Sequence, residues 1–311
     1  MKTIQGISQF KSSISTAVTI GTFDGVHIGH RKILERLIND AKTAGHKSTV
    51  LTFFPHPRMV LQKDTEIKLL NTLDEKIEIL KSLGLDYLII HPFTKEFSRL
   101  SATEFVRDIL VNTLNTKRII IGYDHRFGRN RNASIQDLIG FGNSLDFEVE
   151  EIPAQEIDDV SVSSTKIRNA LLEGDIATAN AYLGYPYTLS GTIKAGKGLG
   201  KQFGFPTANI HIKESYKLIP KKGVYVVKGT LDSSEYFGMM NIGSNPTVSG
   251  KEQTIEVNFF HINADLYNKS VQVKLLHRLR DEHKFDSVEE LRKQLEKDKQ
   301  KSLQLIDEHY A

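Results

Sequence analysis

Four short apolar runs, Ala17–Ile20, Val50–Phe54, Tyr87–Ile90 and Ile119–Ile121, are continuous and rich in β-branched residues. Strands of this kind are buried on both faces, the situation of a parallel sheet covered by helices. Helical patterns fall between them: after His30, residues Ile33, Leu34, Leu37, Ile38 and Ala41 share one helical face. Thr72 followed by Glu75, and Ser101 followed by Glu104, have the spacing of capping boxes, and Gly84 suits a helix stop. A β-α-β-α series predicts an α/β, doubly wound parallel sheet with ligands at the carboxyl ends of its strands.

Near Tyr182–Pro186 the pattern changes. Turn residues now separate strand-like runs at Thr188–Lys194, Thr207–Ile212, Val224–Leu231, Thr254–Ile262 and Val271–Leu276. Ile255, Val257 and Phe259 alternate with Glu256, Asn258 and Phe260, which predicts an antiparallel β-barrel. A long amphipathic helix follows, with Ser287 and Glu290 at its start and Val288, Leu291 and Leu295 facing the barrel. The 311 residues therefore divide into two domains, 1–185 and 186–311.

A net charge of +3 with interspersed charges gives no ground for a nucleic-acid or membrane partner. The absence of cysteine removes disulfides, thiolate metal sites and cysteine nucleophiles together. No apolar run approaches the ~20 residues of a membrane helix, and MKTIQGISQF lacks a signal-peptide core, so a soluble cytoplasmic protein is expected. Nothing here decides oligomeric state; a homo-oligomer is compatible with it.

The most informative segment is Gly21-Thr-Phe-Asp-Gly-Val-His-Ile-Gly-His30, which leaves a strand and opens a helix. Gly21 and Gly25 permit a tight turn and close approach of backbone to phosphate, and the helix N-terminus supplies N–H groups and a positive dipole end. His27 and His30, spaced H-x-G-H, can stabilise the charge that develops on departing pyrophosphate. Farther on, Ser163, Ser164 and Thr165 precede Lys166 and Arg168; read alone they are helix caps, and beside an HxGH turn they suit a second phosphate clamp.

GTFDGVHIGH, FFPHP (Phe53–Pro57), GYDHRFG (Gly122–Gly128) and SSTKIR, in this order, resemble the adenylyltransferase module of the bacterial bifunctional riboflavin kinase/FAD synthetases. The resemblance covers nearly all of residues 1–185. It implies that His27 and His30 contact ATP phosphates, with Gly21, Phe23, Asp24, Gly25 and the SSTKIR residues around them. It also implies that Pro55, His56, Pro57, Asp124, Arg126 and Phe127 shape the flavin side of the cleft. One departure is His125, where the family usually carries an aromatic residue.

In the second half, Gly204-Phe-Pro-Thr-Ala-Asn209 places Thr207 and Asn209 two apart, on one face of a strand. A hydroxyl and an amide oxygen are hard ligands suited to Mg²⁺. Upstream, the loop Lys194–Lys201 carries Gly196, Gly198 and Lys201 and can cover phosphates, although it lacks Walker spacing. Glu256 faces away from Ile255 and Val257 and is positioned to act as a general base. Read alone, GFPTAN is an ordinary turn into a strand and Glu256 a solvated strand residue. GFPTAN, PKKGVY (Pro220–Tyr225), NIGSNPT (Asn241–Thr247), TIEVNFFH, DLY (Asp265–Tyr267) and LRDEHKF (Leu279–Phe285) together resemble the riboflavin kinase module of the same family. That resemblance implies a barrel of about six strands, Mg²⁺ and phosphate at Thr207 and Asn209, and Glu256 as base. Lys201 departs from the usual arginine and lacks its bidentate fork.

The implied activities are phosphorylation of riboflavin to FMN and adenylylation of FMN to FAD, with ATP as co-substrate of both. A chain retaining one activity, and a non-catalytic flavin binder, are the alternatives; the combination of HxGH, Thr207/Asn209 and Glu256 argues against the binder. Aminoacyl-tRNA synthetases share HxGH, but no tRNA-binding module is evident.

Overall fold

The continuous apolar runs become the middle of a six-stranded parallel sheet in the order β1-β4-β3-β2-β5-β6. Its strands are β1 (Lys2–Gln5), β2 (Thr16–Ile20), β3 (Lys47–Phe53), β4 (Tyr87–His91), β5 (Thr116–Gly122) and β6 (Glu148–Ile152). The structure, a computed structural model, describes all residues except Ser12, 63–65, 124–125, 154–161, 197–199, 201–203, 248–249, Asn263 and Ala311.

Successive residues of the central strands feed opposite cores. Ala17, Val50, Leu88, Ile90 and Ile120 pack with Leu34 and Leu37 of α1 (Ile28–Ala44) and Leu80 of α3 (Leu73–Ser82). Val18, Leu51, Ile89, Ile119 and Ile121 pack on the other side with Leu110 and with Leu138 of α5 (Ile135–Leu145). This two-sided burial is why the strands carry no polar alternation. Helix α2 is the short Pro57–Leu61, and α4 (Ala102–Glu104) continues as a π-helix over Phe105–Thr113. Both expected capping boxes form, Thr72 with Glu75 and Ser101 with Glu104. The edge strands β1 and β6, KTIQ and EVEEI, had no apolar run to announce them. Connections run from β2 toward β4 on one side and to β5 on the other. The order thus reverses beside β2, and the loops after β2 and β5 border that crevice.

Residue contacts divide the chain into Met1–Ser164 and Thr165–Ala311. This division and the change of pattern near 185 mark different things. Helices α6 (Ser164–Glu173) and α7 (Ile176–Leu183) are helical in pattern, yet Asn180 Nδ2 donates to the Leu275 carbonyl at 2.9 Å and Lys221 N to the Leu171 carbonyl at 2.9 Å. An amphipathic pattern gives a buried face without saying which sheet covers it.

The second unit is a closed six-stranded barrel ordered β10-β11-β8-β7-β12-β9. Its strands are β7 (Thr188–Lys194), β8 (Ala208–His211), β9 (Gly223–Leu231), β10 (Ser234–Thr247), β11 (Gly250–Phe259) and β12 (Ser270–Arg280). Strand β10 was not among the expected runs because glycines and a proline interrupt it. One of those glycines is required by the pairing: a Cβ on Gly238 would lie 2.5 Å from the Asn258 carbonyl oxygen.

Helix α8 (Val288–Tyr310) closes the chain, with Ser287 Oγ accepting from Glu290 N at 3.2 Å. Of the residues expected to face the barrel, Leu295 packs against it, whereas Val288 is 57% exposed. The face that packs carries Leu295, Leu303 and Ile306, set against Phe205, Met239 and Phe260. A buried ion pair fixes it: Arg280 Nε and Nη2 reach the Asp298 carboxylate at 3.0 and 2.7 Å. Among the described helices none is long and apolar enough to cross a membrane.

Candidate active sites

In the first unit the turn after β2 is held by backbone geometry that L-residues rarely adopt. Phe23, Gly25 and Val26 have φ of +46°, +87° and +37°. Glycine tolerates this region, whereas a β-branched valine there is an outlier that its surroundings must impose. The turn delivers His27 to the N-cap of α1, where its Nδ1 accepts from His30 N at 3.4 Å. An Nδ1 lone pair used in this way leaves the neutral ring's proton on Nε2.

The two imidazoles stack, with centroids 3.6 Å apart and planes 18° from parallel. Phe23 sets its ring edge against His30 at 5.2 Å. Burial lowers the His27 pKa to about 4, opposed by Asp24. Burial, His27 and Lys76 together hold His30 well below the usual histidine range. Both rings are therefore neutral near pH 7. They form a compact donor pair at a helix N-terminus, suited to an anionic ligand.

The other expected residues of this unit fall into distinct places. Asp24 is buried at 2% exposure and its Oδ1 accepts from Leu70 N at 2.9 Å. Gly21 N donates to the Leu51 carbonyl at 3.1 Å, so that amide serves the turn. Ser164 Oγ donates to the Asp24 carbonyl at 2.8 Å, which brings the start of SSTKIR, and with it Ser163, to the HxGH turn. Thr165, Lys166 and Arg168 lie on the body of α6, in the second unit. His56 caps α2 with Pro57 at its first turn, next to Pro55. Phe127 is core, 6% exposed and beside Phe105. Arg126 lines an open pocket of about 210 Å³ after β5, with Tyr123, Gln136 and Glu151. Asp124 and His125 lie outside the described residues, as do Gly198 and Lys201.

In the barrel, Glu256 of β11 is directly opposite Asn209 of β8 and Asn241 of β10. Paired residues share a face, so three side chains from three strands form one row. Thr207 Oγ1 donates to Glu256 Oε2 at 3.3 Å. Two residues along β11, Asn258 Nδ2 donates to the Pro206 carbonyl at 2.7 Å, which pins GFPTAN alongside the glutamate. Ile255 and Val257 are buried, as the alternation required. Gly196 passes so close that a Cβ there would fall 2.0 Å from Asn209 Nδ2 and 2.8 Å from its Oδ1. This glycine-floored cradle around an amide oxygen, a hydroxyl and a carboxylate is a hard-donor set that fits Mg²⁺. Among the described residues no group of three or more His, Cys, Asp or Glu is arranged to hold a metal ion.

Two residues escaped the sequence reading. Lys76 of α3 is 4% exposed, and its Nζ donates to the Thr22 carbonyl at 2.7 Å. Nothing distinguished it from the other cations among 41 Lys and Arg. Asn241 stood inside a quoted motif, but only the β10–β11 register places it beside Glu256.

Family models for FAD synthetase and riboflavin kinase match residues 9–166 and 183–306, in that order. A bifunctional riboflavin kinase/FMN adenylyltransferase of Listeria monocytogenes is 38% identical over 291 residues, 93% of this chain and 92% of the relative. The enzyme of the same name from Escherichia coli K12 is 35% identical over 301 residues, 96% of each chain. A crystal structure described as a macrolide-efflux protein from Streptococcus pneumoniae superposes with a TM-score of 0.89 at 31% identity, covering 99% of each chain. With both models matched in order and relatives aligned along nearly the whole chain, this protein belongs to the bifunctional riboflavin kinase/FMN adenylyltransferase family.

Proposed function

We propose that the two activities divide residue by residue between the two units. The chain phosphorylates riboflavin to FMN and adenylylates FMN to FAD, releasing pyrophosphate. In the adenylyl step an FMN phosphate oxygen bonds to the α-phosphorus of ATP as the bond to the pyrophosphate oxygen breaks. The attacking oxygen is already anionic and needs no base. Stabilising the leaving charge falls to the Nε2–H of His27, the imidazole of His30 and the N-terminus of α1. Pro55, His56, Pro57, Asp124, Arg126 and Phe127 belong to the loops that shape the flavin side, within an adenylyltransferase domain spanning 1–185.

In the kinase step a primary hydroxyl of riboflavin bonds to the γ-phosphorus of ATP as the bond to the bridging oxygen of the departing ADP breaks, and the hydroxyl proton passes to Glu256. Thr207 and Asn209 would hold Mg²⁺, which when bound neutralises charge on the transferring phosphate. Thr207 also orients the carboxylate through its hydroxyl. The substrates are small molecules, and ATP as co-substrate of both steps argues for the cytoplasm.

The observation that carries this division is that each unit holds a constellation of its own: stacked His27/His30 in one, the Asn209–Glu256 pair with Thr207 in the other. Purified protein given riboflavin and Mg·ATP should make both FMN and FAD. His27→Ala with His30→Ala should abolish FAD while FMN accumulates. Glu256→Gln should lower riboflavin phosphorylation by roughly 10²–10⁴-fold yet let supplied FMN become FAD. If either change stops both steps in folded protein, the division is wrong.

A further inference from the structure

We propose that Lys76 is a positioning residue of adenylyl transfer: its buried ammonium holds the Gly21–Gly25 turn in the shape that presents His27 and His30 to the triphosphate. The proposal rests on the assignment of that step to the histidine pair.

Lys76 sits in the first turn of α3, fixed by the capping box in which Thr72 N donates to Glu75 Oε2 at 2.9 Å and Glu75 N to Thr72 Oγ1 at 3.1 Å. At 4% exposure its ammonium is removed from water, a cost that packing alone would avoid with an apolar side chain of the same length. Its hydrogen bond goes to the Thr22 carbonyl at 2.7 Å, a carbonyl that also receives Thr52 Oγ1 at 3.4 Å. Thr22 immediately precedes the positive-φ residue Phe23, so the bond acts at the entry to the strained turn.

Other ties on the turn include Val26 N to the Phe23 carbonyl, Ser164 Oγ to the Asp24 carbonyl, Leu70 N to Asp24 Oδ1 and, at its far end, Arg31 Nε to the Val26 carbonyl at 3.4 Å. Lys76 adds to these a fixed positive charge beneath the loop. Burial lowers its pKa, and Asp24 opposes that lowering. A cation under a turn that must receive a polyphosphate both shapes the turn and complements the ligand. The same charge helps keep His30 neutral until an anion arrives.

The test is Lys76→Met and the double change Lys76→Met with Asp24→Asn, each assayed for both activities of the intact chain. Riboflavin phosphorylation reports that the protein is folded and should stay within about twofold of the parent. For Lys76→Met, kcat for FMN adenylylation should fall about 100-fold, the scale of one lost preorganising group. Removing a positive neighbour raises the His30 pKa, so the acid limb of the adenylylation pH profile should move upward.

The double variant removes both buried charges and keeps an acceptor for Leu70 N, so it decides the matter if the single variant fails to fold. It should fold and remain slow. Adenylylation within threefold of the parent in Lys76→Met overturns the proposal. Full recovery in the double variant also overturns it, because Lys76 would then only balance Asp24. Unimpaired FAD formation by His27→Ala/His30→Ala would instead remove the site assignment itself.

Discussion

Lowering the pH tests whether the fold holds His27 neutral. A histidine with an ordinary pKa of 6.5 that falls to about 4 on folding strongly prefers the uncharged ring inside the protein. Above about pH 6.5 both folded and unfolded chains carry it neutral, and it contributes nothing to pH dependence. As the pH falls from 6.5 toward about 4, the unfolded chain takes up a proton that the folded chain refuses, and stability drops. At ~1.4 kcal/mol for each pH unit between the two values, the full loss is roughly 3 kcal/mol, and about 2.5 kcal/mol of it is reached at pH 4.5. His30, also lowered, adds in the same direction. The comparison protein is His27→Asn, since asparagine is a good N-cap and does not titrate here. Hydrogen exchange of the α1 and β2 amides, corrected for intrinsic rates, should show the parent losing about 2–3 kcal/mol more than the variant between pH 7.5 and 4.5. Parallel losses in the two proteins would refute the neutral-histidine reasoning.

Two further perturbations address the barrel. Gly196→Ala puts a methyl 2.0 Å from Asn209 Nδ2, and the amide can swing aside cheaply. Stability should change by less than about 1 kcal/mol while riboflavin phosphorylation falls at least tenfold and FMN adenylylation is untouched; equal kinase activity would show that Asn209 is not needed where it stands. Arg280→Met leaves the Asp298 carboxylate, 4% exposed, with no cation and only Gln294 Nε2 donating to it at 2.8 Å among the side-chain bonds described. Urea unfolding of the barrel should register about 3–5 kcal/mol of lost stability, and a change below about 1 kcal/mol would mean the pair is not buried in solution.

Legibility in the sequence followed from what each residue had to satisfy locally. Val50 and Leu51 serve opposite cores, so neither can be polar, and their strand is evident from composition alone. Thr72 and Glu75 satisfy each other across three residues, and their spacing announces the helix start. Lys76 satisfies a carbonyl more than fifty positions earlier, and no local pattern encodes such a bond. The same holds for β10, whose Gly238 is required by a neighbouring strand's backbone, and for Asn241, whose role depends on register. Val288 misled because its helical spacing is correct for a buried face, while the buried Asp298 and Ser302 set that face farther along the helix.

The two scaffolds suit two different demands of the attacking oxygen. FMN brings an anion, so its partner site has only to gather positive character without carrying formal charge on the groups that touch it. On the proposed division, a parallel sheet does this at its switch point, where a strained turn, a helix N-terminus and two neutral imidazoles converge beside the buried Lys76. Riboflavin brings a neutral alcohol, whose proton must leave, so a carboxylate has to sit beside the metal donors at a fixed separation. An antiparallel barrel does that by register: Asn209, Glu256 and Asn241 are locked opposite one another by backbone pairing on both sides of β11. A carboxylate placed in the first site would repel FMN and pyrophosphate alike, and neutral imidazoles in the second would bring no negative oxygen to the hard metal donors. On the proposed division, the separation of the two steps onto two folds matches the charge of the nucleophile.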